Sequence, residues 1–520
     1  MDICPHCEFG AIRPYTTSVN ALELIQSGFS SLDICKASVL NDIANLEQEL
    51  QHIESLIRRI GDRREKIAGD IDCCKALIAP IGSLPQETLL HIFSLASSVD
   101  PNPHGAPWIL GHVCSSWRSI SRSCPSLWAN LHISDKYSEC LPFLEKYISL
   151  SCNVPIHLSL DDVDDYGVWK IAKDLIAHSD RWLTLGLCAS GSDLSELLSL
   201  SSSSPNLLTR LYIENRYDDT LDPVTSAKFF SSSPITELDL DSPDSADIYS
   251  IFQRVHNLLQ LYISPSPDVP PRNFTLNSSS TQYPLVRHTS LQALRVAITF
   301  GNEGTVTALP QIFDSVYLPA LYQFSLALNE KQRRLKYWLD KCTPIECSSL
   351  IDLFRRSQCT IFYLTFSIPI SVENLLIPIL KQSGQLRTLE IFVNAEIARD
   401  VFRALSLEQG MAPYLKGLCI RESPFGKAKC GLLEAVDEFH AMVLSRTEGG
   451  GRLKTLTLSL EPKDHTPLLP VAQSSSFHNL FAMKERGMEV VLLLDGKDCL
   501  VDEDARVRFF GPAQTSSSFS

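Results

Sequence analysis

Cysteine side chains near the amino terminus are the first residues whose spacing could support chemistry. Cys4 and Cys7 stand three positions apart around Pro5 and His6, a spacing typical of half a zinc site. A tetrahedral site needs four ligands, and the next cysteine, Cys35, lies far along the chain with no second Cys-x-x-Cys or His-x-x-x-His pair nearby. We therefore expect no metal and no cofactor; metal binding by the Cys4/Cys7 pair is the open alternative.

Catalytic motifs are missing from the sequence. It contains no phosphate-binding Gly-x-x-x-x-Gly-Lys-[Ser/Thr], no His-Glu-x-x-His, no Gly-x-Ser-x-Gly and no dinucleotide-binding glycine pattern. Its 13 histidines are dispersed along the chain. We therefore expect no catalytic residues and no enzymatic activity, and a hydrolase of an unrecognised type is the alternative.

The bulk composition favours a protein that binds other proteins. A chain of 520 residues is too long for one ordinary core, and its net charge of −14 repels phosphate backbones, which argues against nucleic acid. No secretory leader is visible, and the longest apolar run, around Val490–Leu494, is too short to span a membrane. The 16 cysteines follow no regular framework, which is typical of reduced thiols in the cytoplasm or nucleus.

A seven-residue repeat follows residues 1–31, which have no sustained period and are predicted to be a disordered tail. Apolar side chains recur at alternating steps of four and three, the a/d pattern of a coiled coil. We predict a helix over 32–79 that pairs in parallel with a second copy, giving a homodimer; a helix lying on its own protein is the alternative. The repeat positions are Val39, Ile43, Leu46, Leu50, Ile53, Ile57, Ile60, Ile67 and Ile71, interrupted once by Arg64.

Three short motifs lie between residues 80 and 134. Leu84–Phe93 (LPQETLLHIF) opens a helix with a proline and an acidic residue in its first turn. Val113–Arg118 (VCSSWR) begins a second helical stripe, and Pro125–Trp128 (PSLW) closes the block. A block of about 50 residues with this much apolar surface is too small to be stable alone, so we expect it to bind a partner.

In order and spacing, these three motifs resemble the F-box, and the heptad helix before them resembles the arrangement common in fungal (basidiomycete-type) F-box families. The loop Asp100–Pro107 is longer than the family pattern. The resemblance implies that residues 80–134 bind a Skp-type adaptor, which joins a cullin scaffold, while other subunits transfer ubiquitin. The adaptor-binding residues that it implies are Leu84, Pro85, Glu87, Leu89, Ile92, Phe93, Val113, Cys114 and Trp117.

Residues 135–505 repeat an L-x-x-L-x-L pattern nine times, with aromatic and β-branched substitutes, at steps of 23 to 40 residues. This spacing resembles a degenerate leucine-rich repeat, in which each unit supplies one short strand and stacks on its neighbours. The asparagine that usually follows the strand is missing, so a domain that merely alternates strands and helices is the alternative. Residues 506–520 are predicted to be a disordered tail.

Alternation of side chains along each strand predicts which residues face the target. With the pattern leucines inward, the residues between them lie on the opposite, concave surface. Acidic residues and tyrosines interleave there, which favours a basic target segment with aromatic anchors. The predicted substrate-binding residues are Arg210, Tyr212, Glu237, Asp239, Asp241, Tyr262, Glu390 and Phe392, with Glu214, Arg295, Tyr363 and Arg421 on the same face.

Together these patterns predict a mixed α+β and α/β repeat fold: a long coiled-coil helix, a small helical F-box and an irregular leucine-rich-repeat-like solenoid. The predicted function is substrate recognition in an SCF-type ubiquitin ligase of the cytoplasm or nucleus, with the Skp-type adaptor, the cullin and an unidentified protein target as partners. An F-box scaffold acting outside a ligase is a second alternative.

Overall fold

The computed structural model describes residues 16–18, 20–27, 36–99, 105–134, 141–161, 166–200, 205–215, 234–241, 245–264, 284–298, 308–328, 345–368, 370–394, 397–422, 435–447, 451–460, 484, 487–494 and 497–498. These residues fall into two compact units, Met1–Leu89 and Leu90–Ser520. The Cys4/Cys7 pair and the predicted tail at 506–520 lie outside the described residues.

The first unit begins with a short helix, α1 (Ala21–Ser27), inside the segment predicted to be a disordered tail. The prediction was wrong for these seven residues because local capping was overlooked. The Asn20 side chain accepts a hydrogen bond from the Glu23 N–H, as a helix N-cap does, and its amide donates one to the Glu23 carboxylate. Ser18 adds a long-range contact, since its N–H and hydroxyl both donate to Asp42 Oδ2, at 2.8 and 2.6 Å.

The second helix, α2 (Lys36–Leu77), has 42 residues, which corresponds to a length of about 63 Å. It confirms the helix predicted over 32–79. A 3₁₀ turn at Pro80–Ser83 ends it, as expected for a proline that cannot continue the hydrogen-bond ladder. None of its residues is buried, and Ile57 on the heptad stripe is 64% exposed. The stripe therefore lies open on this chain.

The helices that follow carry the three short motifs. They are α3 (Gln86–Val99), which contains the boundary between the two units, α4 (Ala106–Val113), α5 (Ser115–Arg122) and a 3₁₀ turn at Pro125–Trp128. Cys114 separates α4 from α5 in an extended conformation, and its Sγ accepts a hydrogen bond from the Trp117 N–H at 3.5 Å. This residue therefore ends one helix and caps the next.

A parallel β-sheet organises the rest of the second unit. Within the described residues it has 14 strands, and each strand pairs with its neighbour in sequence; only the last pairing is antiparallel. A separate pair of two-residue strands lies outside it. The strands of the sheet are β1 (Asn130–Ile133), β2 (Ile156–Leu160), β3 (Trp182–Ala189), β4 (Arg210–Asn215), β5 (Glu237–Asp241), β6 (Gln260–Ser264), β8 (Ala293–Ile298), β10 (Gln323–Leu328), β11 (Tyr363–Phe366), β12 (Thr388–Val393), β13 (Gly417–Glu422), β14 (Thr455–Leu460), β15 (Glu489–Leu494) and β16 (Lys497–Asp498), and the small pair is β7 (Val286–Arg287) with β9 (Val316–Tyr317).

The pattern leucines lie in register across this sheet, and all are buried. A parallel ladder places equivalent positions of successive strands side by side, so each leucine packs between its counterparts. All nine copies of the pattern lie on strands. The pattern did not predict the further strands β1 and β15. The middle positions of the pattern form one row, the leucine row, which runs through Leu131, Leu158, Leu185, Leu211, Leu238, Leu261, Leu294, Phe324, Leu364, Leu389, Leu418, Leu456 and Val490.

Helices lie between many of the strands and cover the leucine face. The ring of Phe324, at an inward position of β10, contacts the rings of Phe313 at 6.0 Å and Phe354 at 5.4 Å, each on a neighbouring helix. The helices are α6 (Leu141–Leu150), α7 (Tyr166–Ile176), α8 (Gly191–Leu200), α9 (Ser245–Arg254), α10 (Ala308–Asp314), α11 (Ser348–Ser357), α12 (Ile377–Gln382), α13 (Ala398–Leu405) and α14 (Val436–Thr447). The unit is thus a mixed α/β domain built on a parallel sheet. Among the described residues, no helix combines the length and apolar character needed to cross a bilayer.

Candidate protein-binding surfaces

The core of the motif region is aromatic. Phe93 on α3 is fully buried, and its ring centroid lies 5.0 Å from that of Trp117 on α5. Leu127 and Trp128 are also buried, and Trp128 Nε1 donates a 2.8 Å hydrogen bond to the Ser121 carbonyl. The conspicuous aromatic residues of the second and third motifs therefore hold these helices together.

Apolar side chains of the same helices are exposed to solvent. Ile92 and Leu95 lie three positions apart on α3, so they share a face, and they are 36% and 57% exposed. On α4, Ile109 is 63% exposed and Val113 57%. Large apolar groups concentrated on two short helices are unusual at a surface that faces only water, and they mark a region suited to a protein partner.

The predicted adaptor-binding residues divide into two groups. Leu89 and Phe93 are buried on this chain, 5% and 0% exposed, and belong to the core; contact of these two residues with an adaptor stays a prediction. The physical reason for their burial is helical periodicity, since residues four apart share a face and in α3 this face is the inner one. Trp117 and Leu84 are half-buried, and the exposed residues are Pro85, Glu87, Ile92, Val113 and Cys114.

The motif region continues directly into the sheet. Strand β1, Asn130–Ile133, pairs with β2 although we assigned residues up to 134 to the F-box and placed the start of the next domain at 135. The rings of Trp108 and Trp128 lie 5.2 Å apart, and Trp128 lies 5.1 Å from Tyr147 on α6. The predicted boundary at residue 134 therefore follows strand β1, and residues on either side of it pack together.

The sheet face opposite the leucine row lines a cleft of about 1170 Å³. Its middle is a row of side chains, one from each successive strand, which we call the central row. All its members point away from the helices because they alternate with the buried leucines. The central row runs through Ser159, Gly186, Tyr212, Asp239, Tyr262, Arg295, Ser325, Thr365 and Glu390.

Charged side chains in the cleft pair across neighbouring strands. Arg210 Nε lies 2.8 Å from Glu237 Oε2, and Arg421 Nε lies 2.6 Å from Glu390 Oε1. The Arg295 guanidinium lies 4.8 Å from the ring centre of Tyr262, which is a cation–π contact. These contacts link side chains of neighbouring strands along the cleft.

Asp239 has the most perturbed environment in the cleft. Its Oδ1 is buried and has no hydrogen-bond partner. The pKa of this carboxyl is raised to about 7, mainly by burial; Arg295 lowers the pKa, whereas Asp241 and Glu214 contribute to raising it. The neighbouring Tyr212 hydroxyl donates a 2.8 Å hydrogen bond to Glu214 Oε2, and burial with this bond raises the pKa of Tyr212. The cleft is therefore most acidic in character around β4 and β5.

Seven of the eight predicted substrate-binding residues line the cleft, together with Glu214, Arg295 and Arg421. Phe392 lies on β12 beside Arg421 and is half-buried, outside the lining. The small residues of the central row, such as Ser159, Gly186 and Ser325, were overlooked although the same alternation rule finds them. Whether this face binds a target remains a prediction.

Within the described part of the chain, no group of three His, Cys, Asp or Glu side chains is placed to hold a metal ion. The perturbed groups in the cleft are a carboxyl and a phenol, those of Asp239 and Tyr212.

Comparison with known proteins agrees with the motif analysis. A family model described as F-box-like matches residues 81–134, about a tenth of the chain. No curated protein matches the sequence. The match covers α3, α4, α5 and strand β1 and contains all three short motifs. This chain therefore carries an F-box-like domain at residues 81–134, joined to a mixed α/β domain.

Proposed function

We propose that this protein is the substrate-receptor subunit of an SCF-type ubiquitin ligase. In this proposal the F-box-like domain binds a Skp-type adaptor, which connects it to a cullin scaffold, and the sheet domain holds the protein target. The observation that carries the proposal is the F-box-like match at residues 81–134. The exposed apolar side chains on α3 and α4 support it, because an adaptor would cover them.

We further infer that the sheet domain is an irregular leucine-rich-repeat-like solenoid. Sequential strand order, in-register leucines and helices on one face are the properties that support this inference. The absent asparagine still leaves the simpler alternative of a domain that alternates strands and helices. A repeat architecture suits a receptor because it offers a long face for a protein target.

The long helix α2 is proposed to dimerise the receptor. Its heptad stripe includes Leu50, Ile57 and Ile60, which are 57%, 64% and 50% exposed on one chain. A second copy in parallel would cover them. The order of long helix, F-box and repeat-like domain also supports membership of the fungal F-box families that the sequence resembles. The receptor itself would be non-enzymatic, since other subunits of such ligases transfer ubiquitin.

The direct test is co-purification with the adaptor. The full chain is expressed with an affinity tag in cells that contain the adaptor and cullin, and both are quantified by mass spectrometry. The double change Leu84→Ala with Pro85→Ala should reduce adaptor recovery about 30-fold or more, because truncating interface anchors commonly costs about 2–4 kcal/mol. A matched control is Pro284→Ala with Leu285→Ala, an adjacent proline and leucine that are both exposed in the sheet domain.

The outcome separates the alternatives. Loss of adaptor and cullin with the Leu84/Pro85 variant, but not with the control, supports the ligase proposal. Adaptor without cullin would indicate a scaffold acting outside a ligase. A wild-type chain that captures neither, under conditions in which a known F-box protein captures both, would overturn the proposal.

A further inference from the structure

The cleft on the sheet carries an uneven distribution of charge. Five carboxylates and three guanidiniums line it. Four of the five carboxylates, with only one arginine, belong to β4 and β5, and they are Glu214, Glu237, Asp239 and Asp241. The part of the cleft over these two strands is therefore negative at neutral pH, with Arg295 and Arg421 farther along the sheet.

We propose that the β4–β6 part of the cleft binds a basic segment of a protein partner, with one arginine or lysine side chain placed over Asp239. The identification of that partner as the ligase target rests on the proposed function. The binding chemistry is independent of it. The occupant is argued from charge complementarity and from the aromatic groups beside Asp239.

The neighbours of Asp239 suit a cationic side chain. In the central row, Tyr212 and Tyr262 are the register partners of Asp239 on the two adjoining strands. Neighbouring strands lie about 4.8 Å apart, so a cation above the carboxylate would lie between two phenol rings. Tyr212 is 39% exposed, which leaves part of its ring accessible. The Arg295 guanidinium lies over the Tyr262 ring, 4.8 Å from its centre. A tyrosine ring on this face can therefore contact a guanidinium.

Room for an incoming chain exists on both sides of these large side chains. On one side the central row continues with Gly186 and Ser159, which have no side chain and a small one. On the other side, beyond Arg295, it continues with Ser325 and Thr365. An extended segment crossing the strands would therefore meet small residues before and after the acidic part.

Asp239 also makes the binding dependent on pH. Its pKa of about 7 in the unbound protein means that a large fraction is protonated near neutrality. The charged or titratable groups around it are Tyr212 and Glu214 on β4, Glu237 and Asp241 on its own strand, Tyr262 on β6 and Arg295 on β8. A cation over Asp239 favours its ionised form, so binding releases a proton and becomes tighter as pH rises. One proton of this pKa corresponds to about tenfold tighter binding at pH 8 than at pH 6.

The test measures binding of defined peptides to the full-length protein. The probe is a fluorescein-labelled peptide of six Arg-Ser repeats, compared by anisotropy with six Glu-Ser repeats, at about 0.15 M salt to screen long-range attraction to the acidic chain. The cleft variant is Glu214→Gln, Asp239→Asn and Asp241→Asn together. Its matched control, Glu373→Gln, Asp400→Asn and Glu408→Gln, removes the same number of carboxyl groups from exposed positions on helical segments outside the cleft.

We expect the wild-type protein to bind the basic probe. The affinity should be about tenfold or more lower in the cleft variant and should change less than about twofold in the control. The single change Asp239→Asn should remove most of the pH dependence. Equal losses of affinity for the basic probe in the cleft variant and the control would indicate nonspecific electrostatic attraction and overturn the proposal. A wild-type protein that binds the acidic probe as tightly as the basic probe would also overturn it. Adaptor co-purification of the cleft variant is measured in parallel. If the wild-type chain binds the probe but captures no adaptor, the ligase proposal fails and the cleft proposal stands.

Discussion

The rings of Phe93 and Trp117 lie 5.0 Å apart with their planes tilted by 58°. This contact joins the helix of the first F-box motif to the helix of the second. It also orients α3, because burying Phe93 leaves its neighbour Ile92 facing outward at 36% exposure. Two adjacent residues of one motif thus have different roles, and substitutions can separate them.

The proposed adaptor surface and the helical core should respond differently to changes at these two positions. Phe93→Ala removes a fully buried ring and should destabilise the domain by about 3–5 kcal/mol. Ile92→Asp changes an exposed side chain and should cost under about 1 kcal/mol, but it should lower adaptor affinity about 30-fold or more. Chemical denaturation and adaptor titration measure the two effects. Full adaptor binding by the Ile92→Asp variant would exclude this face as the interface.

Helix α2 should make the full-length protein a dimer. Light scattering should give twice the chain mass for the wild type, and the double change Ile57→Glu with Ile60→Glu should give a monomer because two carboxylates would be buried in the seam. Gln48→Glu with Ser55→Glu is the control, since both positions lie off the apolar stripe and are exposed. A wild-type monomer at micromolar concentration contradicts the coiled-coil prediction.

Arg446 should be among the most sensitive positions for stability. It is 1% exposed, and its guanidinium donates to the carbonyls of Leu405 at 2.5 Å and of Met411 and Ala412 at 2.7 Å each. Burial lowers the pKa of this arginine to about 10, so it stays charged at neutral pH.

Arg446→Met would leave three carbonyls without their donor and should cost about 3 kcal/mol or more. The comparison is Arg355→Met, at an exposed arginine whose surface ion pair with Asp352 is worth under about 1 kcal/mol. Similar denaturation midpoints for the two variants would contradict this interpretation of Arg446.

His288 should make the sheet domain sensitive to acid. It is buried, its Nε2 lies 2.8 Å from the Val255 carbonyl, and its Nδ1 accepts a hydrogen bond from the Leu291 N–H at 3.2 Å. Burial lowers the pKa of His288 below the value of about 6.5 that it has when unfolded. The unfolded chain therefore binds a proton more readily, so the stability from the neutral ring is present above pH 6.5 and is lost as pH falls.

Urea midpoints at pH 7.5 and pH 5.5 test this assignment. His288→Leu should be less stable than the wild type at pH 7.5, because it loses both hydrogen bonds, but it should lose less stability on acidification. An unchanged pH dependence in the variant would assign the acid sensitivity to other groups.

Local sequence patterns were sufficient to predict the elements that repeat. Alternation of leucines with polar residues placed nine strands and assigned Leu238 and Asp239 to opposite faces, because side chains along a strand alternate whatever the surroundings. The seven-residue period likewise predicted helix α2. The short helix α1 was overlooked because capping by Asn20 acts through side-chain contacts that no period reveals.

By itself, then, the sequence determined the F-box motifs, the order of the elements and the side chains available on each strand face. Tertiary structure decided that Phe93 is a core residue and Ile92 a surface residue, since both are apolar and only packing separates them. It also decided that Asp239 is a weak acid between two tyrosines, because its desolvation depends on strands β4 and β6, whose residues are far from it in sequence. Burial and charge proximity are properties of the assembled sheet, and a linear pattern does not contain them.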